Sequence, residues 1–201
     1  LSLLGPTAFL DASAGGHALR LSTTGTNLAS IVNLNGGTLV ANRVYAGSAH
    51  TPSVLNLNGG ALRAASSRPD FLAGLTAATV YPGGVVFDTA GYDVTVGQPL
   101  LAPLGFGLAS LPLRSSGAGY VGAPVVLVTG GSGTGATAIA SVDLAEGSPT
   151  KGTVTGLTVT SPGSGYLPGD KLSVALVGGG FGVPAVTNDC LLGLNSAVGG
   201  L

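Results

Sequence analysis

Methionine and tryptophan are absent from the 201 residues, cysteine occurs once, and aromatic residues make up only 5%. Charge is almost as scarce: Asp, Glu, Lys and Arg together are 7%, against roughly 25% in an average soluble protein. The seven Lys and Arg form no basic patch, which disfavours nucleic-acid binding. A single cysteine, Cys190, permits neither an internal disulfide framework nor a Cys-rich metal site. No apolar run reaches the about 18 residues of a membrane span. The best stretch, Pro99 to Leu113, is interrupted by Pro103, Gly105, Gly107 and Pro112. Strong helix formers are also rare, so helix is not expected. A chain that opens on Leu1, without Met or a signal sequence, is expected to be a processed form or a fragment.

What the chain has instead is glycine (36 residues), proline (12), and short runs rich in Val, Thr, Leu and Ala. With 45% apolar residues and a net charge of −1 it lacks the signature of a disordered chain. The glycines follow no collagen period. Short β-branched runs punctuated by Gly, Asn and Pro predict many short strands joined by tight turns, hence an all-β fold. So little charge suits a surface covered by neighbouring repeats or by other copies of the chain.

Two repeats organise the sequence. Val32-Asn33-Leu34-Asn35-Gly36-Gly37-Thr38-Leu39-Val40-Ala41 returns 23 residues later as Leu55-Asn56-Leu57-Asn58-Gly59-Gly60-Ala61-Leu62-Arg63-Ala64, with seven of ten positions identical. A period of this length fits one turn of a β-solenoid, with strands stacked about 4.8 Å apart. That geometry puts Leu34 over Leu57 inside, and Asn35 over Asn58 as an amide ladder at the corner. A pair of β-hairpins in a sandwich would use the same Asn-Gly turns. Tyr81 to Val96 offers a further strand, an Ala90-Gly91 turn and another alternating strand, which favours the solenoid.

The second repeat matches Gly117-Ala118-Gly119-Tyr120 to Gly163-Ser164-Gly165-Tyr166 at an offset of 46. Each copy is followed by an apolar strand, Val125 to Val128 or Leu172 to Val177, and then a glycine cluster. Val154 to Thr160 alternates apolar and polar residues and should present one face to solvent. The expected organisation is a β-solenoid segment over 1–104, a small β-sandwich or barrel-like module of two repeats over 105–187, and a tail over 188–201. The linker falls near Pro99 to Pro112, and Leu191 to Leu194 forms a last strand or an assembly segment.

The Asn-Gly-Gly strand repeats, with Phe71-Leu72-Ala73-Gly74-Leu75 and Gln98-Pro99-Leu100-Leu101-Ala102-Pro103, resemble the autotransporter-associated β-strand repeat proteins of bacteria. The Gly-x-Gly-Tyr units, with Gly130 to Ala138, resemble a module found inside such proteins. The likeness spans roughly residues 28 to 185. It implies a passenger-type β-solenoid outside the cell or on its surface, without a defined active site.

Residues that carry chemistry elsewhere have structural readings here. Gly130 to Thr137 has phosphate-loop spacing, but Ala136 stands where the lysine belongs. Gly133, Gly135 and Ala138 fit a loose dinucleotide fingerprint, but a strand pattern follows instead of a helix. Tyr120 and Tyr166 occupy equivalent positions; each is expected to pack its ring over glycine backbone, the alternative being a pair of sugar-binding platforms. The acids Asp11, Asp70, Asp88, Asp93, Asp143, Glu146, Asp170 and Asp189 are scattered. Asp88 and Asp93 are the one local pair, flanking a turn rather than forming a calcium or glycosidase site. His17 and His50 stand alone, and Cys190 beside Asp189 has no nearby His to activate it. No catalytic, metal or cofactor-binding residue is therefore assigned. The expectation is a non-enzymatic, secreted structural protein that stacks with copies of itself into a filament or surface layer. The alternative is a cell-surface adhesin or carbohydrate-binding passenger that uses Tyr120, Tyr166 or the turn loops on surface glycans.

Overall fold

In the computed structural model, residues 1–5, 7–16, 18–21, 30–47 and 52–195 are described. His17 and His50 lie outside them. The chain is all-β and divides into two compact units, Leu1–Pro103 and Leu104–Asn195.

The first unit is written in triplets of short strands: β1 (Ser2–Leu4), β2 (Phe9–Asp11) and β3 (Leu19–Leu21); β4 (Ser30–Asn35), β5 (Thr38–Ala41) and β6 (Val44–Ala46); β7 (Ser53–Leu57), β8 (Ala61–Ala64) and β9 (Arg68–Ala73); β10 (Ala77–Val80), β11 (Val86–Asp88) and β12 (Val94–Val96). A final strand, β13 (Leu100–Leu101), follows. Every pairing is parallel and joins corresponding members of successive triplets, giving three sheets: β1-β4-β7-β10-β13, β2-β5-β8-β11 and β3-β6-β9-β12. None of these sheets closes on itself, and the arrangement is consistent with a β-solenoid-like fold.

Parallel in-register pairing stacks like on like. Leu3, Leu34, Leu57 and Val80 make one buried row, and Leu10, Leu39, Leu62 and Phe87 a second that is partly exposed at its two ends. Leu19, Val44, Leu72 and Val96 make the third. The expected register of Leu34 over Leu57 is the one observed. The Asn-Gly-Gly corners stack as well: Gly36 donates to the Gly59 carbonyl at 3.0 Å, and Gly59 to that of Gly84 at 2.7 Å. Gly37 has φ +71°, and a Cβ there would come 2.1 Å from the Ala8 carbonyl oxygen, so only glycine fits the corner. In the fourth triplet the equivalent corner is Pro82-Gly83-Gly84, not Ala90-Gly91. Tyr81 holds the asparagine register there, and five residues rather than three lead on to the next strand, which hides the repeat.

The amide ladder forms two residues before the expected corner. Asn56 Nδ2 donates to Asn33 Oδ1 at 2.8 Å, and Asn33 Nδ2 to Ser2 Oγ at 3.0 Å. Asn33 and Asn56 are each 1% exposed. At the corner, Asn58 Oδ1 instead accepts from Gly83 N–H at 3.0 Å. A second polar seam has the same 23-residue step: Ser53 N–H donates to Thr76 Oγ1 at 3.0 Å, and Thr76 N–H to Ser53 Oγ at 3.2 Å. Leu75 N–H donates to Gln98 Oε1 at 2.8 Å.

The second unit is antiparallel throughout: β14 (Phe106–Ser110), β15 (Leu113–Ser115), β16 (Val125–Gly130), β17 (Thr134–Val142), β18 (Val154–Ser164), β19 (Leu172–Val177), β20 (Val186–Thr187) and β21 (Leu191–Leu194). A four-stranded sheet runs β18-β17-β16-β19, and β14-β21 and β15-β20 form two short ribbons. The stretch Pro99 to Pro112, expected as a linker, carries β13 and β14. The expected tail supplies β21, whose Leu192 packs against the core containing Leu108 and Tyr166.

The two repeats interlock. Their apolar strands β16 and β19 pair from Val125 against Val177 to Gly130 against Leu172. Tyr120 of the first repeat sits against Gly179 beyond β19, and Tyr166 of the second against Gly131 and Gly133 beyond β16. The alternation of Val154 to Thr160 breaks at a bulge in β18: Thr160 is buried and bonds the Thr137 hydroxyl at 2.7 Å.

Candidate functional site

The structure scatters the residues that the sequence analysis singled out. Tyr120 and Tyr166 are 3% and 4% exposed, so neither ring is offered as a platform. Ala185 N–H donates to the Tyr120 hydroxyl at 2.9 Å, and the Tyr166 hydroxyl is bonded to the Ala136 backbone. Burial raises the Tyr166 hydroxyl above its ordinary range. Gly130 to Thr137 runs from the end of β16 through a turn at 131–133 into β17, with Gly133 pressed against the Tyr166 ring. A phosphate has no helix N-terminus to meet there.

The carboxylates serve their own loops. Asp11 Oδ1 accepts from the Ser13 backbone at 2.8 Å, and the Ser13 hydroxyl holds it below the usual carboxylate range. Asp88 Oδ1 accepts from Ala90 N–H at 2.9 Å, and its other oxygen lies 3.5 Å from Arg63. Asp93 is tied through its backbone to Ser67 and Arg68. Asp70 lies between Arg43 at 3.0 Å and Arg68 at 3.1 Å, with the Arg43 guanidinium 4.1 Å above the Tyr45 ring. The hydroxyls of Ser148 and Thr150, then Ala145 N–H, lower Asp143. Asp170 Oδ2 accepts from Leu167 N–H, Ser132 N–H and the Ser132 hydroxyl at 2.9, 2.9 and 2.7 Å, and is lowered in turn. Glu146 pairs with Lys151. Burial, then the charge of Asp189, pushes the Cys190 thiol up, the opposite of an activated nucleophile. Among the described residues no three His, Cys, Asp or Glu side chains cluster for a metal. A cleft of about 340 Å³ between β9 and β12 is lined by Ser67, Arg68, Pro69, Asp93, Val94 and Thr95, and these carry no catalytic grouping.

The chemistry left to this architecture is that of its strand edges. Among the described residues of the first unit, β1, β2 and β3 each pair on one side only, and so do β11, β12 and β13 at the other end. Such edges offer rows of backbone donors and acceptors. The large apolar side chains exposed among the described residues of this unit lie at those same ends. Leu1, Leu4 and Phe9 (66% exposed) lie at the first, and Val86 (61%), Tyr92 and Leu101 at the last. Phe9 and Val86 terminate one cross-strand row, Phe9-Thr38-Ala61-Val86, and Asp11 and Asp88 terminate the row Asp11-Val40-Arg63-Asp88. Sequence reasoning found the repeat but not these side chains. Exposure at a terminal strand depends on what is stacked beyond it, and no local pattern records that. In the second unit, Ile139, Val125 and Val177 form an exposed apolar row across three strands.

No protein-family model, curated protein or solved structure matches the chain.

Proposed function

We propose that the chain is a non-enzymatic structural protein that self-assembles by strand stacking into a filament or surface layer outside the cell. The observation that carries this reading is the pair of one-sided edges on the first unit, each with exposed apolar side chains, in a fold built by parallel stacking. The finer reading of the first unit is a β-solenoid, and of the second a small sandwich-like or barrel-like module. The resemblance to autotransporter-associated repeat proteins supports an exported location.

A parallel edge repeats itself head to tail, and a head-to-tail contact that does not close generates an open fibre. Continuing the second sheet across such a junction sets Val86 of one copy against Phe9 of the next, and Asp88 against Asp11, and requires β13, one layer beyond β10 in the first sheet, to give way to the incoming β1. The first contact is apolar; the second opposes like charges. Negative-stain microscopy over a concentration series tests the idea. Filaments are expected from the unaltered chain, fewer from Phe9→Lys and more from Asp11→Asn. Monodisperse single particles at every concentration would sink the proposal. The adhesin reading loses Tyr120 and Tyr166 as contacts, because both rings are buried.

A further inference from the structure

We propose that Asn35-Gly36 and Asn58-Gly59 are sites of spontaneous imide formation that stacking of the triplets closes, so that modification there marks chains that failed to fold. In an Asn-Gly pair the glycine nitrogen attacks the asparagine Cγ. The Cγ–Nδ2 bond breaks, and ammonia leaves with the proton given up by the glycine nitrogen. Water then opens the cyclic imide at either carbonyl to give aspartate or isoaspartate. The reaction needs no partner beyond water. It does require a glycine N–H free to ionise and a chain free to bring that nitrogen onto Cγ.

The folded protein withholds both. Gly36 N–H is engaged by the Gly59 carbonyl at 3.0 Å, and Gly59 N–H by the Gly84 carbonyl at 2.7 Å. The Asn58 side chain is anchored to the next corner through Gly83 N–H at 3.0 Å. Gly36 and Gly59 are held at φ +116° and +94° by the stacked corners, so the turn cannot swing to the attacking geometry without unstacking. The same crowding makes the damage one-way. Isoaspartate inserts an extra backbone carbon beside a corner where Gly37 and Gly60 already approach the preceding backbone, at Ala8 and Gly36, too closely for a Cβ. A chain carrying isoaspartate at 35 or 58 is therefore excluded from the stack.

The test incubates the intact chain in mildly alkaline buffer across a urea series. Isoaspartate at residues 35 and 58 is read by peptide mass spectrometry and enzymatic methyl labelling. Below the unfolding transition, both sites are expected to convert at least about tenfold more slowly than in the unfolded chain, with the rate rising as the unfolded fraction rises. Chains modified in urea and returned to buffer should regain by circular dichroism only the strand signal of the second unit, while unmodified chains regain it all. Equal rates on both sides of the transition, or full refolding of isoaspartate-bearing chains, would overturn the proposal.

Discussion

At the scale of single residues, stability rests on polar atoms that are buried because they find one another. Asn33 and Asn56 carry amides into a buried row, and the 23-residue register brings donor to acceptor at 2.8 Å. Asn56→Leu removes the donor and strands the Asn33 oxygen. A loss of about 1–3 kcal/mol is expected by urea denaturation, the cost of an unsatisfied buried acceptor. Changing both asparagines to leucine should cost less than the sum of the single changes, because no acceptor is left stranded. Gly133 makes the complementary case. A Cβ there would stand 2.5 Å from the Tyr166 ring, so Gly133→Ala should cost about 1–3 kcal/mol through overpacking, whereas Gly156→Ala, with open space around it, should not.

At the scale of elements, loops that lack a core of their own are pinned by carboxylates. Asp170 gathers the loop after Tyr166 and the turn between β16 and β17 onto one oxygen, and Asp143 does the same for 145–150. Both acids are lowered in the folded state by those hydrogen bonds. A depressed folded pKa contributes stability that is present above the unfolded value, about 4, and is lost as pH falls through the folded one. Thermal melts should therefore show the second unit weakening below about pH 4. Asp170→Asn should flatten that acid limb while lowering the melting temperature at neutral pH. The bulge in β18 belongs to this scale too. Strict alternation predicts Thr160 on the solvent face, and one extra residue turns its hydroxyl inward onto Thr137.

At the scale of the whole molecule, the second unit holds together by exchange between its repeats. Tyr120 finds its glycine shelf at Gly179 and its hydroxyl partner at Ala185, both in the other repeat. The strand that completes β14 comes from Leu191–Leu194, beyond the repeats altogether. A fragment spanning 104–195 is therefore expected to fold by itself. One cut at 187 loses β21 and the packing of Leu192, and should melt at a clearly lower temperature by calorimetry. Equal melting of the two fragments would mean that β21 adds nothing to the unit.

The sequence alone determined the strand class, the 23-residue step and the partner of Leu34. These follow from local propensity and from repetition, which a linear pattern records directly. It also anticipated the tyrosines on glycine backbone, although the glycines that meet the rings include Gly179 and Gly133 of the other repeat. Only the tertiary structure decided that the ladder runs through Asn33 and Asn56, since which of two asparagines is buried depends on neighbouring strands rather than on spacing. Only the tertiary structure showed the fourth corner, hidden by Tyr81 in the asparagine register and by two extra residues, and the exchange of rings between repeats. Both are contacts between distant segments, set by stacking and pairing that no run of adjacent residues encodes.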